Sequence, residues 1–198
     1  MTEHDSDTAA PAWLTLHQTA ALVGGYRWME SRLFEVVGGW VQTTAQLDTK
    51  LLFGRQSRHF AAHAQLWLDR LPTLNEMTPT NLTVAPTDEV AAFFDRLALL
   101  DGTGADSAVR RLVALHRVVL PQMIAAYRDH LDRCSAVADA AVMRSLGLVL
   151  ADVVADRDEA EQLLSALTDQ STVALAESTQ RELGGEFTAL MAGSRPGR

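Results

Sequence analysis

The chain reads as all-α: a four-helix bundle with one long crossover and short additional helices. Three observations carry the all-helical part of that reading. Apolar residues recur at three- and four-residue steps along four long stretches, the period of one helix face. No stretch of useful length alternates apolar and polar residues as a half-buried strand does. Two short turns and one longer Pro-containing connection separate the long stretches, as in a bundle with a single crossover.

The first helix carries Leu22, Tyr26, Met29, Leu33, Val36 and Trp40 on one face, with Gly24-Gly25 expected to kink or divide it. A turn is expected at Thr43-Thr44. The second helix runs from about Gln46 to Leu71 and is stopped by Pro72. Its stripe is Leu52, Gln56, His59, His63, Leu66 and Trp67. The connection from Pro72 to Thr87 holds three prolines and is too long for a tight hairpin. A short helix then begins at Thr87-Asp88-Glu89 and ends before Asp101-Gly102. The third long helix spans about Asp106 to Asp132, with Pro121 expected to kink it. The fourth spans about Ala138 to Leu167, and a fifth helical segment covers Val173 to Met191. Residues 13–192 are expected to form one domain, between a tail expected to be disordered at 1–12 and one expected to be flexible at 193–198.

Composition narrows the function classes. Apolar residues make up 47% and the net charge is −8, so the chain has material for a core and lacks the basic surface that nucleic-acid binding needs. A single cysteine, Cys134, excludes an intrachain disulfide and a thiolate metal cluster. No apolar run reaches the length of roughly 20 residues that a membrane span needs. The acidic N-terminus lacks a signal-peptide core, so a cytoplasmic location is expected. Lys50 is the sole lysine among many arginines, a usage that suggests a GC-rich bacterial genome. There is no nucleotide-binding or flavin signal, no nucleophile-elbow motif and no zinc-finger spacing.

The chemistry-bearing signal is a set of polar residues on apolar stripes. Glu30 lies on the first helix, His59 on the second, His116 on the third and Asp156 on the fourth. Antiparallel pairing about the two short turns sets Glu30 beside residue 58 or 59 and His116 beside Asp156. Burying such groups is unfavourable unless they pair or bind a metal. A shared metal is one explanation. A neutralised network is the other, with Glu30 and Asp156 paired to protonated His59 and His116. Gln56, His63, Asp152 and Glu159 are candidates for the surrounding shell that would orient the ligands.

This pattern resembles the ferritin-like superfamily of di-iron carboxylate proteins. There, two helices give one Glu each and two give a Glu-x-x-His pair each. Glu30 matches the ligand of the first helix. Gln56-Ser-Arg-His59 matches the pair of the second, with Gln in place of Glu. His116 stands where the third helix offers Glu. The fourth helix offers Asp156-Arg-Asp-Glu159, or else Glu159-Ala-Glu-Gln162, neither with the His. The resemblance implies iron or manganese, with zinc also compatible, held by Glu30, His59, His116 and Asp156 in an oxidoreductase that activates dioxygen or peroxide. An alternative is a non-catalytic bundle that binds a partner or a second copy of itself, with the segment after residue 170 as docking element. A third reading is a carrier for an apolar ligand.

Overall fold

The computed structural model describes residues 13–167 and 169–194, the side chain of Ser171 excepted. The tail expected at 1–12 and residues 195–198 of the other lie outside the described residues. The protein is all-α. Its helices are α1 (Leu16–Thr43), α2 (Leu47–Leu68), α3 (Pro79–Leu82), α4 (Asp88–Ala98), α5 (Ala105–Val113), α6 (Leu120–Asp132), α7 (Ala140–Leu167) and α8 (Gln170–Gly193). One turn of π-helix, Ala114–Val119, joins α5 to α6 without a break. Among the described residues there is no strand, only an isolated bridge between Leu74 and Met77. No helix among them is long and apolar enough to cross a membrane.

Helix starts follow local chemistry. The Thr15 hydroxyl accepts from the Gln18 N–H while the Gln18 side chain accepts from the Thr15 N–H, a reciprocal cap that satisfies two free donors. Thr78 and Thr87 cap α3 and α4 in the simpler way. Asp88 and Glu89 add negative charge to the first turn of α4, where the helix dipole favours it.

At the paired glycines the expected division of the first helix is absent, and at Pro121 the third departs from regular α geometry. α1 runs unbroken through Gly24-Gly25. Gly24 serves close approach instead: a Cβ there would lie 2.0 Å from the Leu82 carbonyl oxygen, so a bare Cα lets the crossover rest on α1. Pro121 falls in the first turn of α6, just after the π-turn. Its ring would meet the carbonyl of residue 117 in a regular helix. The misfit appears as a widened turn, which also re-phases α5 against α6.

α1 and α2 form an antiparallel hairpin, and α7 packs on both α2 and α6. The core between them holds Tyr26, Met29, Leu33, Phe60, Trp67, Met123, Tyr127 and Val149. α8 closes the other side. It lies along α5 and the π-turn and stacks Phe187 on Phe93 of α4 with ring centres 4.5 Å apart. Glu186 of α8 pairs with Arg96, and Gln122 donates to Thr188. The inner face of this segment is therefore spent on its own chain.

Candidate functional site

Two chains of polar side chains cross the helical core. The first starts on α6. The Tyr127 hydroxyl donates to Glu30 Oε1 on α1 over 2.6 Å, and both side chains are fully buried. The other carboxylate oxygen, Oε2, lies 3.5 Å from Nδ1 of His63 on α2. On the far side of the same ring, Nε2 donates to Asp152 Oδ2 on α7 over 3.1 Å. Asp152 is exposed, so the chain runs from solvent to the centre of the protein. Burial alone would push the His63 pKa down. Hydrogen bonding and charge from Glu30, and then from Asp152, outweigh it and raise the pKa to about 8. Tyr127 is raised well above its ordinary value by burial first and by the Glu30 charge second.

The second chain lies one helical turn away. His59 Nδ1 donates to Asp156 Oδ2 over 2.9 Å. Burial pushes the Asp156 pKa up, and the His59 contact pulls against that rise without cancelling it. The Gln56 amide donates to the backbone oxygen of Asp156 at 3.1 Å, and its carbonyl oxygen lies 3.0 Å from His116 Nε2. His116 Nδ1 is 2.9 Å from the Leu112 oxygen. Both ring nitrogens of His116 therefore face acceptors, a demand for two protons. Burial opposes the charge and holds the pKa down to about 4.

The structure thus brings the sequence candidates together in pairs, with His63 in a role expected of His59. His59 and His63 share a face of α2, but His63 is the buried one, and it is His63 that meets Glu30. His116 reaches the Asp156 backbone through Gln56, without touching a carboxylate. Of the surrounding candidates, Asp152 orients His63, while Glu159 turns outward to Arg55 at 2.5 Å. A metal centre needs donor atoms turned to one point. The Glu30 and Asp152 carboxylates lie at opposite ends of the His63 ring. Among the described residues, no three His, Cys, Asp or Glu side chains form a group that could hold one.

Two other buried polar residues stand outside the set read from the sequence. His130, in the last turn of α6, is fully buried against the Tyr26 ring, with neither ring nitrogen in a hydrogen bond. Burial lowers its pKa to about 4. Arg111 is buried over the Trp40 ring and donates to the Leu100 oxygen and to Thr44. Arg117 is held by both oxygens of Glu161. Only the heptad-like spacing of His116, Met123 and His130 hinted that His130 shares a buried face.

No family model, curated protein or solved structure matches the chain.

Proposed function

We propose that this chain is a non-catalytic helical bundle of ferritin-like layout that acts by binding, its buried acids and histidines neutralising one another. The supporting observation is the use of the donor atoms. Glu30 accepts from Tyr127 through Oε1 and turns Oε2 to His63 Nδ1 as an ion pair at 3.5 Å without a formed hydrogen bond, Asp156 is taken by His59, and both nitrogens of His116 face oxygens of the chain itself. Such a network ties α1, α2, α6 and α7 at one level. A slip of any helix by one residue would leave a buried charge unpaired, an effect worth about 3–5 kcal/mol when a buried pair is broken. The network therefore selects helix register and carries no reacting group.

The test is elemental analysis of protein purified without affinity tags or chelators, then reconstituted anaerobically with ferrous iron, beside His59→Ala and His63→Ala. The expected result is far less than one iron, manganese or zinc per chain in all three, with a melting temperature unmoved by chelation. Near-stoichiometric metal that either substitution removes would overturn the proposal in favour of a ferritin-like metalloenzyme.

A further inference from the structure

A cavity of about 350 Å³ opens between α1, the crossover, the middle of α6 and the end of α8. Its floor is Gly25, Tyr26 and Met29, all buried. Its walls are apolar: Leu22 on α1, Leu82, Val84 and Pro86 on the crossover, Ala126 on α6 and Met191 on α8. Asn81 and Ser194 stand at the more exposed rim. The volume is within the range of about 300–1,000 Å³ typical of small-molecule sites, and an apolar interior with a few polar groups is their usual lining.

The cavity is built into the fold. Gly24 lets the crossover sit directly on α1, and Arg27 of α1 donates to Thr83, fixing the outer wall from below. The Tyr26 hydroxyl donates to the Ala126 oxygen at 3.3 Å, holding the floor to α6. Filling such a space removes apolar surface from water without reorganising the helices.

Charge decides the class of ligand. Among the described residues no Asp, Glu, Lys, Arg or His lines the cavity, and the chain carries a net charge of −8. A carboxylate or phosphate entering it would be desolvated with no cation to meet it, on a protein that repels anions. An ammonium group would find no carboxylate. The Asn81 amide and the Ser194 hydroxyl at the rim offer hydrogen bonds to one uncharged group.

We propose that this cavity binds a small, uncharged, mainly apolar molecule bearing one hydroxyl or carbonyl group, its apolar body on Tyr26 and Met29 and its polar group at the Asn81–Ser194 rim. This goes beyond the binding role proposed above by placing a site, and it holds whether or not the polar network carries a metal. The test is calorimetric titration of the full chain at neutral pH with 2-naphthol and with 2-naphthoate, the same ring bearing an anion. Ala21→Trp is the blocking variant. Ala21 lines the cavity yet is exposed on α1, so a larger side chain there fills the opening without entering the core; circular dichroism checks the fold. Saturable binding of one 2-naphthol per chain, abolished by Ala21→Trp and at least about tenfold weaker for 2-naphthoate, is expected from the burial penalty of an unpaired charge. Absence of saturable 2-naphthol binding would overturn the proposal. So would binding that survives Ala21→Trp in a folded variant, or equal affinity for the anion.

Discussion

Tyr127 and Glu30 are joined by a 2.6 Å hydrogen bond in which neither side chain touches water. A hydroxyl donating to a buried carboxylate is among the stronger interactions a core can hold, because the carboxylate has no solvent to fall back on. Tyr127→Phe keeps the ring and its edge-to-face packing on Tyr26 while removing the donor. The expected loss is about 1.5–3 kcal/mol of folding free energy, read from urea unfolding with an unchanged slope. A loss under about 0.5 kcal/mol would mean that the pair does not bear on stability.

Gly24 and Gly39 lie on the same helix and should respond oppositely to alanine. The Leu82 oxygen blocks a Cβ at Gly24, whereas nothing lies within 4 Å of one at Gly39. Gly24→Ala should destabilise by about 1–3 kcal/mol through overpacking and lift the crossover from α1. Gly39→Ala, at an exposed helical position, should stabilise by about 0.5–1 kcal/mol. Chemical denaturation of both variants checks the pair, and equal responses would contradict the close approach.

Stability should fall on both sides of neutrality, for different histidines. His63 has a folded pKa of about 8, above its ordinary value of 6.5. Its contribution is complete below 6.5 and is lost as pH rises through 8; the shift corresponds to about 2 kcal/mol. His116 and His130 have folded values of about 4, below 6.5. The unfolded chain binds their protons first, so stability declines as pH falls from 6.5 toward 4. Denaturation midpoints measured from below the acid limb to above the alkaline one should show both, and His63→Gln should flatten the alkaline one only.

Gln56→Glu supplies the carboxylate that His116 lacks. With Gln56 the ring has a neutral amide oxygen 3.0 Å from Nε2 and stays uncharged. A carboxylate at that distance should favour the imidazolium and raise the His116 pKa above 6.5. Ring chemical shifts followed against pH report it; a value still near 4 would show that burial outweighs even a direct charge.

The helices were legible because their apolar period is local, and the observed ends fall within a few residues of the expected ones. The site was legible in part. Glu30, Gln56, His116 and Asp156 are all buried, as their stripes imply. His59 and His63, four residues apart, share one face of α2, and which lies deeper depends on how α2 meets α7, a tertiary property. Met123 and Tyr127 fall on the buried face as the stripe carried through Pro121 implies, and His130 shares that face seven residues after Met123. Gly24 carried a signal whose cause, the Leu82 carbonyl, lies 58 positions further along the chain.

The central claim is that His63 bridges Glu30 and Asp152 directly, as a protonated ring. Nitrogen-15 chemical shifts of its two ring nitrogens, followed from acid to alkaline pH, test this most directly. The account predicts that both nitrogens stay protonated through neutrality and that the ring titrates near pH 8. A ring that titrates at or below its ordinary value of 6.5, or one nitrogen locked without a proton at every pH as in a metal ligand, would contradict it.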